Sequence, residues 1–195
     1  MWGNDRSWVR PATLFYDAIA DVLVKRTNHY DVAFEEYLRG THTPYVAVDE
    51  QRRAKLADAS LKSMDFIVTS PRSQNLLVDV KGRKFPSGGE GAGSGHKWEN
   101  WATEDDIHSL LRWQQVFGNG FRSMLLFAYE IVDPRFVIEL GRPFVHHGRA
   151  YSFFGVWADQ YHVSMRPRSA SWETVSLQSR NYRDLRIPIA ELLEC

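Results

Sequence analysis

Three side chains in two short apolar runs are the ones most able to do chemistry. Asp65 lies in Met64-Asp65-Phe66-Ile67-Val68, and Asp79 and Lys81 lie in Leu76-Leu77-Val78-Asp79-Val80-Lys81-Gly82. Side chains alternate faces along a strand, so Leu77, Asp79 and Lys81 share one face while Leu76, Val78 and Val80 take the other. Asp65 is likewise out of phase with Met64, Phe66 and Val68, which read as core. If the two runs pair as a hairpin, both acids emerge on one face. Two carboxylates ~4 Å apart repel by roughly 1–4 kcal/mol at surface-like dielectric, so the pair calls for a cation.

Hard carboxylate oxygens on separate elements suit Mg²⁺ or Mn²⁺ rather than zinc. With a lysine beside them, they could activate water for in-line attack on phosphorus, the cation offsetting charge that develops on the phosphate. The elements that must position this set can be read in outline. A helix over Asn28–Arg39, stopped by Gly40, places Tyr30, Ala33, Phe34, Tyr37 and Leu38 on one apolar face. Glu35 and Glu36 flank that face on opposite sides, and periodicity does not choose between them. Asp31, one turn before Glu35, makes a like-charge pair that a nearby cation would relieve, which tilts toward Glu35. Tyr45 to Val48 reads as a first strand. A helix over Thr103–Phe117 opens on a capping-box variant, Thr103 with Asp106, and turns Ile107, Leu110 and Leu111 inward. Gln114 is the next inward position, either a satisfied core amide or part of a polar site. Met124 to Val132 is a nearly continuous apolar run, as expected of a strand covered on both faces.

The rest of the chain bounds the answer. It has 195 residues, 44% hydrophobic and 25% charged, with zero formal net charge, which is ordinary globular composition. Cys195 is the only cysteine, so there is neither a disulfide framework nor a thiolate zinc site. No leader-like or membrane-spanning pattern is present, and a cytoplasmic protein without a membrane partner is expected. Pro11 to Val24 predicts an amphipathic packing helix. Arg52, Arg53 and Lys55 form a small basic cluster that could meet phosphates or merely be solvated. Residues 86–95 are a Gly-rich loop matching neither nucleotide-binding pattern, and suit a mobile flap. After Asp133 a hairpin is expected, from Pro143 to His147 and Ala150 to Val156 about a Gly148-Arg149 turn. A short irregular tail follows, interleaving Arg166, Arg168, Trp172, Arg180, Tyr182, Arg183 and Arg186. Such a tail could hold phosphates and stack bases, or supply a satellite core. The seven histidines show no zinc spacing, and no serine-nucleophile motif occurs.

A helix Glu, an Asp, and then Asp-x-Lys on consecutive strands, followed by a helix and a strand, resembles the PD-(D/E)XK nuclease superfamily over about Asn28 to Val132. That superfamily includes restriction endonucleases and archaeal Holliday junction resolvases. The resemblance makes Asp65 the first motif acid, Asp79 the second and Lys81 the motif lysine. Ala33-Phe34-Glu35 resembles the helix motif of the resolvase branch, which selects Glu35. Gln114 resembles a glutamine that some members carry on the following helix. Met64 departs from the proline expected before the first acid, and Gln114 lacks a downstream tyrosine partner. His29-Tyr30-Asp31-Val32-Ala33-Phe34-Glu35 also resembles the motif of the HYExAFE bacterial family, with Asp31 in place of Glu.

The resemblance implies an α/β, restriction endonuclease-like fold with a central mixed sheet flanked by helices. One domain of 195 residues is expected, with a nuclease-like core over 28–132 and a C-terminal hairpin and loop extension over 133–195 packed on it. It further implies a Mg²⁺- or Mn²⁺-dependent nuclease acting on nucleic acid, DNA by family expectation, with room for a homodimer. Glu35, Asp65, Asp79 and the Val80 carbonyl would hold metal, Lys81 would position or activate water, and Gln114 would orient the site. Two alternatives stand beside it: a catalytically silent nucleic-acid-binding module of the same fold, and a structural or partner-binding domain whose acids are surface pairs.

Overall fold

The computed structural model describes residues 28–49, 54–56, 59–71, 74–87, 97–136 and 143–193. The expected helix over Pro11–Val24, Arg52 and Arg53, and most of the Gly-rich loop lie outside them. The first described element is helix α1 (His29–Gly40). The Asn28 side chain caps it by accepting the Tyr30 N–H at 3.1 Å. A cap of this kind contributes about 1 kcal/mol. Its apolar face forms as the spacing predicts, with Ala33, Phe34, Tyr37 and Leu38 buried.

Strand β1 (Tyr45–Ala47) follows, then a small hairpin of β2 (Ala54–Leu56) and β3 (Ala59–Leu61) that the sequence does not announce. Strand β4 (Phe66–Val68) and the long β5 (Asn75–Phe85) then form the expected antiparallel pair, with Phe66 opposite Val78. Strand β6 (Ala102–Thr103) leads directly into helix α2 (Glu104–Phe117), which crosses over to β7 (Phe121–Ile131). Strand β7 lies parallel to β5 through the middle of the sheet. It is buried on both faces from Ser123 to Tyr129, which explains its lack of alternation.

The final third builds the same sheet. Strands β8 (Phe144–His146) and β9 (Arg149–Trp157) form the expected hairpin, and β9 runs antiparallel to β7 from Met124 to Ile131. The expected division near residue 132 therefore does not separate two layers; it runs between adjacent strands. Helix α3 (Ala158–Ser164), strands β10 (Arg166–Ser169) and β11 (Thr174–Ser176), helix α4 (Ser179–Leu185), strand β12 (Ile187–Pro188) and helix α5 (Ala190–Leu193) complete the chain. The tail expected to be irregular is thus largely regular. Its elements are too short for periodicity to register.

The main sheet has the order β1-β4-β5-β7-β9-β12, with β8 beside β9. It is a mixed sheet flanked by helices, an α/β architecture. One face packs Leu76, Val78, Val80, Leu126 and Phe153 against Phe34 and Leu38 of α1. The other packs Leu77, Leu125, Phe127 and Tyr129 against Ile107 and Leu110 of α2 and Tyr161 of α3. Each fully buried aromatic or leucine contributes roughly 1.5–3 kcal/mol from area removed from water. On the α1 face, Gly82 leaves a notch that the Tyr30 ring fills; a Cβ there would run into that ring. Among the described residues no helix is long and apolar enough to cross a membrane.

Candidate active site

Strand β4 ends where β5 continues. The register pairing Phe66 with Val78, carried one residue on, brings Asp65 beside Asp79. There the ladder gives way to side-chain bonding. Asp65 donates its own N–H to the Val78 carbonyl at 2.9 Å, and its Oδ2 accepts the Val80 N–H at 2.6 Å. Asp65 and Asp79 are 4% and 8% exposed, so neither is a solvated edge acid. Lys81 projects from the same face of β5 as Asp79, with Nζ 2.6 Å from Asp79 Oδ2.

The opposite wall comes from the start of α2. Asp106 closes the expected capping box, its Oδ2 accepting the Thr103 N–H at 2.9 Å while Thr103 Oγ1 accepts the Asp106 N–H at 3.2 Å. The same carboxylate also takes Lys81 Nζ at 3.1 Å and Lys62 Nζ at 2.9 Å. Lys62, Ser63, Asp65, Asp79, Val80, Lys81 and Asp106 together line a cavity of about 410 Å³.

Its electrostatics follow from burial and crowding. Burial first, then the charge of Asp79 and that of Asp31, push the Asp65 carboxyl well above the usual carboxylate range. Burial also pushes Asp79 up, against the pull of Lys81. Burial alone would lower the Lys81 ammonium, but Asp79 and Asp106 outweigh it and hold its pKa above the ordinary lysine value. Asp106 is likewise lowered despite its burial, by Lys81, Lys62 and the bonds from Thr103. The pocket thus holds a lysine fixed in its charged form and an acid pair short of positive charge.

Asp65, Asp79 and Lys81 therefore converge as the strand argument requires, and Val80 lines the same cavity. Glu35 does not join them. It accepts from Arg39 Nη2 at 2.9 Å and from the Tyr45 hydroxyl at 2.8 Å, away from the cavity. The helix acid whose charge reaches Asp65 is Asp31, 2% exposed in the first turn of α1. One helical turn, about 5.4 Å along the axis, separates the two positions, and the wish for a nearby cation applied equally to both. Gln114 does not face the cavity either. Its Oε1 accepts the N–H and hydroxyl of Ser123 at 2.7 and 2.9 Å, tying the end of α2 to the start of β7. It lines a separate cleft with Gln74, Asn119 and Arg122. Asp106 lies two helical turns earlier, and that is the end of α2 that meets the pocket.

Lys62 and the second role of Asp106 were not visible in the sequence. Lys62 lies in an extended segment with no periodicity, and its place is fixed by tertiary bonds: its N–H donates to Ser109 Oγ at 3.1 Å and its carbonyl accepts Trp113 Nε1 at 2.8 Å. Asp106 carried a signal, but one already explained by capping. Among the described residues no three His, Cys, Asp or Glu side chains form a preassembled metal cluster.

The fold is similar to that of Hjc, a Holliday junction resolvase from the archaeal hyperthermophile Archaeoglobus fulgidus. Identity is 14% and the TM-score 0.46, over 84% of this chain and 96% of that one. No family model matches the chain, and no curated protein does.

Proposed function

We propose that this protein is a divalent-metal-dependent nuclease that hydrolyses phosphodiester bonds in DNA, with its active site in the cavity between β5 and the start of α2. The observation that carries this reading is the convergence of Asp65, Asp79 and Lys81 in one buried pocket, where burial and the charge of Asp79 raise the proton affinity of Asp65. A structural ion pair would not need the second acid. Two acids beside one lysine leave charge that a substrate-borne or substrate-bridging cation would balance.

The donor set fits Mg²⁺ or Mn²⁺: the pocket offers carboxylate and backbone oxygens and neither imidazole nor thiolate. Asp65 and Asp79 would hold the ion, with the Val80 carbonyl as a further oxygen and Asp31 adding charge from α1. Bound there, it would supply Lewis-acid stabilisation of the charge developing on the phosphate. The chain's own groups do the rest. Lys81, held charged between Asp79 and Asp106, acts as a hydrogen-bond donor to the attacking water or a phosphate oxygen, not as a base. Asp106 offers Lys81 a second acceptor, so the ammonium stays aligned when Asp79 is engaged elsewhere. Lys62 adds a second positive charge at the mouth, 37% exposed and able to meet a phosphate.

The test is cleavage of single-stranded, duplex and branched DNA in Mg²⁺, Mn²⁺ or EDTA. Wild type should cut only with metal, and Asp79→Ala or Lys81→Ala should lose at least about 100-fold in rate, as expected when a group stabilising developing charge is removed. Equal behaviour of wild type and Asp79→Ala in every metal condition would sink the reading.

A further inference from the structure

The segment that follows α3 carries a charge the chain as a whole conceals. Residues 164–186 contain five arginines, at 166, 168, 180, 183 and 186, against two acids, Glu173 and Asp184, a net charge of +3 in a chain that sums to zero. Arg166, Arg168, Arg180 and Arg183 are exposed. At the turn of the β10–β11 hairpin, Trp172 is 77% exposed, a large aromatic ring with no core to fill. An exposed indole offers a flat apolar face for stacking and an N–H for bonding, which is why tryptophan is enriched at interfaces.

The hairpin is tied to the pocket on two sides. Strand β11 pairs with β6, setting Thr174 opposite Thr103, and the Glu104 N–H donates to the Glu173 carbonyl at 3.0 Å. Thr103 is the residue that caps α2 beside Asp106 and accepts Lys62 Nζ at 3.2 Å. On the second side, Arg83 shares the face of β5 occupied by Asp79 and Lys81. Its guanidinium lies 3.8 Å from the centre of the Trp101 ring, and that of Arg168 lies 5.1 Å from the same ring. A row of cations and an indole, Lys81, Arg83, Trp101 and Arg168, thus leads from the acid pair to the hairpin.

We infer that the β10–β11 hairpin is a contact surface for an unpaired nucleic-acid strand entering the pocket, with Arg166 and Arg168 on its phosphates and Trp172 stacked on a base. This rests on the nuclease reading for the direction of the strand. An exposed indole flanked by arginines binds unpaired bases without needing their sequence, whereas stacked duplex bases offer it no free face. The preferred substrate therefore carries unpaired nucleotides beside the bond that is cut.

Binding in EDTA, followed by anisotropy of a labelled single strand, its duplex, and a duplex with an unpaired tail, tests this. Trp172→Ala should weaken the single strand and the tailed duplex about tenfold and leave the plain duplex unchanged, and Trp172→Phe should recover most of the loss. Arg166→Ala and Arg168→Ala should weaken all three and lower the salt dependence by roughly 0.7–0.9 per residue. All of these side chains are exposed, and unchanged melting temperatures would confirm intact folding. Wild-type affinity for the single strand in Trp172→Ala, an equal loss on plain duplex, or no binding by wild type would overturn the inference. Hairpin variants that bind normally while Asp79→Ala abolishes cleavage would remove the hairpin inference alone. Single-strand binding that depends on Trp172, in a protein that never cleaves, would remove the nuclease reading and keep the hairpin as a contact surface.

Discussion

Asp65 is asked to be both buried and charged, and its fold is less stable for it. Its folded pKa lies above the unfolded value near 3.9, so the folded state is favoured below that value and loses stability as pH rises toward the folded pKa. Asp65→Asn keeps an oxygen for the Val80 N–H and removes the charge. Without divalent metal it should melt higher than wild type at pH 8, by roughly 1–3 kcal/mol in stability, with the difference vanishing near pH 3.5. Asp106 has the opposite sign: its lowered pKa gives stability above about pH 4 that is lost on acidification. A second residue-scale contrast concerns the helix acids. Asp31→Asn should reduce cleavage at least about tenfold, while Glu35→Gln should leave it within about twofold, since the charge of Asp31 acts on Asp65 whereas Glu35 is engaged by Arg39 and Tyr45. Metal-titrated cleavage rates decide this, and a reversed order would restore Glu35. Strand alternation made Asp65, Asp79 and Lys81 legible. Helix periodicity left Glu35 tied with Glu36 and gave Asp31 no separate claim, because rotation about the axis says nothing about position along it.

The elements that matter most are those whose ends meet the pocket. Strand β4 begins only at Phe66, which leaves the Asp65 side chain just before it for the Val80 N–H. The first turn of α1 divides its residues among three contacts: His29 meets the Tyr151 hydroxyl at 3.0 Å, Tyr30 fills the Gly82 notch, and Asp31 acts on Asp65. Gly82→Ala should drive α1 off the sheet, costing roughly 1–3 kcal/mol in urea unfolding and lowering cleavage because Asp31 moves with the helix. Tyr30→Ala added to Gly82→Ala should recover part of the stability, a coupling that a double-mutant cycle reads directly. The longer elements were legible because several turns or an unbroken apolar run mark them. The β2–β3 hairpin, β10, β11 and β12 run to two to four residues each, too short for a period, and β11 and β12 also depend on partners remote in the chain, β6 and β9.

Across the whole molecule, the sheet joins distant parts of the chain in one layer. Strand β12 pairs with β9, and Ile189 and Leu193 pack into the α1-side core, while Ser70 Oγ donates to the Leu192 carbonyl at 2.7 Å. The last turn described is therefore structural. Leu193→Ala should cost about 2–5 kcal/mol by thermal or urea unfolding, yet leave the cleavage rate of the folded protein unchanged, since the pocket lies on the other face. Composition could not foretell this closure, which depends on where the chain returns and not on what it contains.

The notch at Gly82 also bears on how such a chain can drift. A ring at position 30 and an absent side chain at position 82 are one feature written at two places 52 residues apart. Neither can change first without a clash or a void, so substitutions there should arise together. In an aligned set of relatives, an alanine or larger residue at position 82 should coincide with a small residue at position 30, and that correlation would trace the seating of α1 over the sheet from sequences alone.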